Sequence, residues 1–396
     1  SIPKLTDGFK ESHRKIMHGA HLRWKISPKS KPYTECKVAQ FGAFVADKSN
    51  YHHGELILDD VVVGMAQDFV GANNIPWFTP DGNFGTRVQG GKDAAQTRYT
   101  FIRPQPIVGY IIRKEDAPIL KYVVDEGDKV EPENYFPIIP MILVNGGEGI
   151  GTGYSTFVPC HNPLDIIKWL RLKLNGVEDK ELPEILPWYR GFQGFIKVVD
   201  RRRRKKRNNN KFKVTTISSV DENGIVSSNI SNIEPDDINI PDESIPGEEY
   251  NDLYHGNEKS RPLLSMTSMG KFHIDFNGAI IITELPIGRW PFNYHKWLED
   301  LVEQKKITGF RDCSTDNTVY FEIYGFTDTP NHRTLKLQRT MGMSNMVLLD
   351  EDNRPIRYDT SFEILEAFYY RRLPIYLKRK EYILNDLSLQ IQTLNY

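Results

Sequence analysis

Arg98 and Tyr99 stand side by side in the stretch GGKDAAQTRYT, Gly90 to Thr100, with Lys92 and Arg87 close by. A tyrosine hydroxyl has a pKa near 10 and is a poor nucleophile at neutral pH. Nearby cations favour the phenolate and offset the charge that builds on a phosphorane transition state. Arg98 and Arg87 can supply both effects, and Lys92 can hold a neighbouring phosphate. Glycines 85, 90 and 91 allow close backbone approach and offer N–H donors. A covalent tyrosine intermediate would split a difficult phosphoryl transfer into two reversible steps. The plainer alternative is a basic loop with a structural tyrosine, and an Arg-Tyr pair by itself does not exclude it.

Two other stretches bear on that choice. YHHGE, Tyr51 to Glu55, sets His52 and His53 beside a helix start, where they can bond phosphate or shuttle a proton. Adjacent histidines also serve local hydrogen bonding. GGEGIGTG, Gly146 to Gly153, exposes Ile150 on a Gly-rich loop. That side chain is either a wedge between base pairs or the packed residue of a tight turn. No Gly-Lys-Ser/Thr follows, so this is not a Walker-type phosphate loop.

The elements that must position these residues can be traced along the chain. FKESHRKIMHGAHLRW reads as a helix burying Phe9, Ile16 and Ala20. ECKVAQFGAFVAD places Val38, Phe41 and Val45 at helical spacing, and GELILDDVVVGMAQDFV does the same for Leu58, Val61, Met65 and Phe69. Three short helices with basic residues in the first two suggest a helix-turn-helix arrangement. A Gly-rich loop and alternating strands follow to about residue 160, then a helix over PLDIIKWLRLKLNG ending at Gly176. Residues 192–220 turn β-like, and 221–268 read as a long, mostly disordered acidic loop. GAIIITELPIGRW resumes a buried strand, followed by a helix to Lys306 and a strand at 318–324. Over 360–396, Tyr369, Tyr376, Ile383 and Gln390 alternate with Leu373, Lys380, Leu387 and Leu394 at heptad spacing, predicting a long packing helix that Pro374 kinks or restarts. That helix has no cap at its end, which suggests a fragment.

With 396 residues, the chain is too long for one ordinary core. No apolar run is long enough to span a bilayer, so a membrane partner is not expected. The first residues lack the apolar stretch of a secretory signal. Cys36, Cys160 and Cys313 match no metal-ligand spacing and read as reduced thiols. The net charge of -1 hides segregation: residues 1–31 carry eight basic side chains, 201–207 are RRRRKKR, and 214–258 hold eleven acidic residues and no Lys or Arg. A basic N-terminal face suits phosphate binding.

In this order, SIPKLTDGFKESHRKIM, KVAQFGAFVADKSNYHHGE, AQDFVGANN, GNFGTRVQGGKDAAQTRYTF and VEPENYFPIIPMILVNGGEGIGTGYS resemble the DNA breakage-reunion region of eukaryotic-type type IIA DNA topoisomerases, including those of large DNA viruses. Weaker likeness continues in ITELPIGRW, SNMVLLDEDNRPIRYDT and EILEAFYYRRLPIYLKRKEYIL. The resemblance implies an α+β multidomain fold. A winged-helix DNA-binding domain would span 1–160. A mixed α/β tower would span 161–355, with a disordered insert at about 201–268, and a long helical arm would start at 356–396.

It also implies that Tyr99 is the nucleophile, Arg98 its transition-state arginine and Ile150 an intercalating wedge. Arg14, Lys15, Lys37, His52, His53, Arg87 and Lys92 complete the expected DNA contacts. The implied activity is that of an ATP-dependent type II topoisomerase: a homodimer acting on double-stranded DNA in a nucleus, or at a cytoplasmic viral replication site or in a virion. Mg²⁺ and ATP would be bound by domains absent from this chain, which holds no metal site of its own and is not expected to cleave DNA unaided. The insert and Pro374 depart from the family pattern. An architectural duplex-DNA binder that keeps the fold without cleavage is the alternative, although such a protein has no use for the Arg98–Tyr99 pair. A bacterial gyrase-type protein is disfavoured by the YHHGE and PIIPMILVNGGEGIGTG wording.

Overall fold

A computed structural model of the chain describes residues 2–28, 32–151, 153–200, 217–220, 226–229 and 263–394. The basic run 201–207 and most of the acidic segment fall outside them.

Three helices come first: α1 (Glu11–Trp24), α2 (Val38–Lys48, directly after the short strand β1, Cys36–Lys37) and α3 (Glu55–Ala66). Each turns an apolar stripe inward at helical spacing: Ile16, Met17 and Ala20 from α1, Val38, Phe41 and Val45 from α2, Leu58, Val62 and Met65 from α3. The third helix is shorter than its apolar pattern predicts. Gln67 adopts extended backbone, and its Nε2 donates to Phe84 O (2.9 Å) and Gly91 O (3.2 Å), so Phe69 lies beyond the helix. Strands β2 (Phe78–Asp81) and β3 (Phe101–Pro104) close an antiparallel sheet in the order β1-β3-β2, with Cys36 opposite Ile102 and Phe78 opposite Pro104. Three helices backed by this small sheet form the winged-helix arrangement.

Short helices α4 (Val108–Ile111) and α5 (Met141–Asn145) are interleaved with two hairpins, β4 (Tyr122–Asp125) with β5 (Asp128–Pro132) and β6 (Gly147–Gly151) with β7 (Tyr154–Val158). Helix α6 (Pro163–Leu174) starts at Asn162, whose side chain accepts Leu164 N–H at 2.9 Å, and stops before Gly176 at φ +81.

Strand β8 (Phe195–Asp200) pairs with β11 (Leu264–Met269), which pairs in turn with β16 (Gln338–Gly342). Between them, β9 (Ile217–Val220) and β10 (Val226–Asn229) form a hairpin. The 221–268 stretch is therefore not all loop: β10 and most of β11 lie within it, where Leu264 and Met266 have apolar sheet neighbours to pack on. A four-stranded sheet runs β12 (Lys271–Ile274), β13 (Ile280–Glu284), β15 (Phe321–Tyr324), β14 (Gly309–Asp312), and α7 (Pro291–Glu303) packs Tyr294, Leu298 and Leu301 against it. The described residues form two apolar cores. One gathers residues from Leu5 to Ile196 together with Met266, Ile287 and Met343–Leu365; the other is built from residues between Ile280 and Leu337, Tyr294 and Phe321 among them.

The hairpin of β17 (Met346–Leu349) and β18 (Pro355–Tyr358) leads into the long helix α8 (Ser361–Leu394). Thr360 Oγ1 accepts Glu363 N–H at 3.1 Å while Glu363 accepts Asp359 N–H at 2.8 Å, so the helix start is capped. Pro374 does not restart the helix. A mid-helix proline costs about 3 kcal/mol. Here Phe368 and Ile375 are buried on either side of it, each contributing about 1.5–3 kcal/mol. Arg372 and Arg379 both reach Asp116, at 2.7 and 3.3 Å. Beyond this anchored part, Ile383, Leu387 and Leu394 are exposed.

Candidate functional site

The loop from Gly82 to Thr100 joins β2 to β3 and is held by its own polar side chains. Asp93 accepts Thr86 N–H at 2.8 Å and the Thr86 hydroxyl at 2.5 Å. Asn83 donates to Asp93 O at 2.8 Å and accepts Gly85 N–H at 2.8 Å. At Gly85, φ is +89, and a Cβ would collide with the backbone of Gly91, so the two glycines let the loop fold onto itself.

The end of the loop is fastened to α2: Ala39 N–H donates to Thr97 O (3.3 Å) and Val38 N–H to Thr100 O (3.0 Å). Thr100 is buried, while Tyr99 is 66% exposed and Arg98 is open to solvent beside it. The Arg98 guanidinium carbon lies 4.9 Å from the Tyr99 ring centroid. A stiff backbone thus presents an arginine and a phenol together to whatever approaches from solvent. Chemically, a phenol with a cation at hand is able to act as a nucleophile on an anionic target.

Several other expected contact residues share this exposed character. Lys92 is exposed in the same loop. Lys37 is exposed and pairs in register with Phe101, its Nζ 5.8 Å from that ring, which sets it beside the start of β3, two residues after Tyr99. His52 and His53 are exposed in the turn before α3. His52 Nε2 lies 3.1 Å from Asp125 Oδ2, and the His53 ring is 5.4 Å from that of Tyr51. Ile150 is 82% exposed. It sits on a two-stranded ribbon, opposite Ser155, rather than on the thin loop its glycines suggest. The ribbon is braced from behind by Val347 N–H on Thr156 Oγ1 (3.1 Å) and Asn345 Nδ2 on Ser155 Oγ (3.1 Å).

Three expected contacts are instead structural. Arg87 is buried and ion-paired with the equally buried Glu284 of β13, whose carboxylate also accepts Gln193 N–H (2.9 Å) and Leu285 N–H (2.8 Å). Arg14 is buried in a two-bond pair with Asp7, at 2.9 and 3.2 Å, and donates to Phe9 O at 3.1 Å. Lys15 is buried against Glu131 (2.9 Å) and Ser49 O (3.0 Å). In this structure all three are buried with their charge offset by a carboxylate inside the protein rather than presented to solvent. Their carboxylate partners lie 7, 116 and 197 residues away in the chain, and spacing alone does not reveal the latter two.

Sequence reasoning missed the side chains that hold this loop: Asn83, Asp93 and Gln67, and Asp59 of α3, whose Oδ2 accepts the Thr97 hydroxyl at 2.8 Å. One signal was available for Asp59: it is an acidic residue beside Leu58, at the edge of the α3 apolar stripe. Among the described residues no group of three or more His, Cys, Asp or Glu is placed to hold a metal ion.

A family model for the A subunit of DNA gyrase/topoisomerase IV matches residues 1–234 and 254–396. The mitochondrial DNA topoisomerase 2 of Dictyostelium discoideum is 35% identical, over 100% of this chain and 26% of that protein. DNA topoisomerase 2 of Invertebrate iridescent virus 6 is 34% identical, over 98% of this chain and 28% of its own length. A crystal structure of the Plasmodium falciparum topoisomerase II DNA-binding, cleavage and re-ligation domain superposes with a TM-score of 0.75 at 32% identity, over 98% of this chain and 45% of that one. The chain spans about a quarter of the length of the curated relatives it matches. These relatives agree with the eukaryotic-type resemblance of the sequence. A match over nearly every residue, carried by the same fold, shows that the chain belongs to the family of the DNA gyrase/topoisomerase IV A subunits.

Proposed function

We propose that this chain is the DNA-binding and cleavage core of an ATP-dependent type II DNA topoisomerase that works as a homodimer on double-stranded DNA. Tyr99 Oη attacks a backbone phosphorus. The Oη–P bond forms, the P–O3′ bond breaks, and the phenol proton is lost as the departing 3′ oxygen gains one. The product is a 5′-phosphotyrosyl link with a free 3′-hydroxyl. Arg98 offsets the charge on the transferring phosphoryl group. Lys92, Lys37, His52 and His53 hold the flanking strand, and Ile150 wedges between base pairs to bend the duplex. Reversal by the 3′-hydroxyl reseals the strand, and two such breaks, one per protomer, open a gate for a second duplex.

The observation that carries this reading is the exposed Arg98–Tyr99 pair on an otherwise tightly bonded loop. A core tyrosine buries its ring, as Tyr294 does at 1% exposure; other tyrosines are exposed too, and what sets Tyr99 apart is the arginine beside it. In the same reading, residues 1–160 are the winged-helix domain, 161–355 the tower and 356–396 the start of the arm. Mg²⁺ and ATP are held by parts of the enzyme outside these residues. The site of action is the nucleus, or a viral replication site if the source is viral.

The test joins or mixes the chain with the metal-binding segment of a type II topoisomerase and traps protein–DNA adducts under denaturing conditions. Adducts with the native chain and none with Tyr99→Phe support the reading. Equal adducts from both overturn it. Tight, salt-sensitive binding with no adduct from either moves the assignment to an architectural DNA binder.

A further inference from the structure

One buried side chain ties the Tyr99 loop to the third helix. Asp59, 4% exposed on α3, accepts the Thr97 hydroxyl at 2.8 Å on Oδ2. Thr97 lies two residues before Tyr99, and its carbonyl is one of the two that α2 holds. The Tyr99 N–H in turn donates to Gln96 O at 2.9 Å. The backbone entering the Arg98–Tyr99 pair is therefore gripped from α2 by main-chain bonds and from α3 by a carboxylate. Gly42 on α2 makes room for that carboxylate, since a Cβ there would fall well inside contact distance of Asp59 Oδ1.

We infer that Asp59 is a positioning residue for Tyr99, acting through Thr97. A hydrogen bond from a hydroxyl to a carboxylate is stronger and more directional than one between neutral groups. It fixes the orientation of the segment from which the Tyr99 ring projects. The phenol oxygen sits at the far end of a rigid ring, so a small rotation of that segment displaces it by about 1 Å, a misplacement that can cost a reaction about 10²-fold. Asp59 touches neither Tyr99 nor its target in this account; it sets where Tyr99 Oη stands. The inference rests on the reading of Tyr99 as nucleophile.

The test compares Thr97→Val, which keeps the shape and removes the hydroxyl, with Thr97→Ser, which keeps the hydroxyl. Both are assayed in the chain joined to the metal-binding segment of a type II topoisomerase. Thr97→Val is expected to slow adduct formation at least about tenfold while leaving DNA Kd within about twofold, and Thr97→Ser to restore the rate. Gly42→Ala, which displaces the carboxylate, is expected to act as Thr97→Val does.

A second measurement needs no activity. The ¹⁹F line of 3-fluorotyrosine at position 99 should broaden or shift in Thr97→Val and stay put in Thr97→Ser. Native-rate cleavage in Thr97→Val, equal slowing in Thr97→Ser, loss of binding in parallel with cleavage, or an unmoved ¹⁹F line would each overturn the positioning role. No adduct from the native chain would instead overturn the nucleophile reading, and the tether inference with it.

Discussion

Arg98 lies over the ring of Tyr99, its guanidinium carbon 4.9 Å from the centroid, and both side chains face solvent. A cation over an exposed phenol adds little to stability, about 0.5–1 kcal/mol. The loop beneath it is nevertheless held by the side chains of Asn83, Asp93, Gln67 and Asp59 and by main-chain bonds to α2. Dense support under a pair that stabilises so little is what a reacting group requires.

Arg87 behaves differently from its neighbours. Arg87→Met leaves Glu284 buried without its cation, and unfolding free energy should fall by about 3–5 kcal/mol, read from urea titration. Glu284→Gln should cost less, because the amide oxygen still accepts a backbone N–H. Lys92→Ala, by contrast, should leave stability unchanged and reduce the salt slope of DNA binding by about one phosphate contact. A shallower salt slope in a folded Arg87 variant would restore it to the DNA-contact set.

Much of this was legible in the sequence. The helical stripes of α1 to α3, the capped α6 and the Arg98–Tyr99 pair all follow from local spacing, because each depends on residues within a few positions. The burial of Arg14, Lys15 and Arg87 was not legible. A charge reads as solvent-facing until its partner is known, and Glu131 and Glu284 come near only once the chain has folded. Of the two outcomes expected at Pro374, a kink or a restart, the restart does not occur for a similar reason: local propensity marks it, while the packing of Phe368 and Ile375 that overrides it is tertiary.

Ile150→Ala should leave folding stability within about 0.5 kcal/mol, since the side chain is 82% exposed and packs on little. Its effect should fall on the bend angle of bound duplex, measured by fluorescence transfer between end labels, and less on affinity. An unchanged bend would remove the wedge role.

Burial lowers the imidazole pKa of His161 to about 4, and those of His13 and His21 likewise to about 4. The unfolded chain takes up these protons near pH 6.5 and the folded one does not. Stability should therefore hold above pH 6.5 and fall as pH drops toward 4, by on the order of 2 kcal/mol per histidine between pH 7 and 5. His161→Asn keeps a donor for Leu143 O, which His161 Nδ1 meets at 3.2 Å, and should remove part of that pH dependence. A parallel pH profile in that variant would contradict the buried neutral state.

The central claim is that Tyr99 carries the broken strand. The direct measurement digests a trapped protein–DNA adduct and locates the residue bearing the 5′ nucleotide by mass-spectrometric fragmentation, with the chain joined to the metal-binding segment of a type II topoisomerase. The account predicts a single phosphotyrosyl site at Tyr99, absent in Tyr99→Phe. A nucleotide on any other residue, Tyr110 or Tyr154 included, would contradict it.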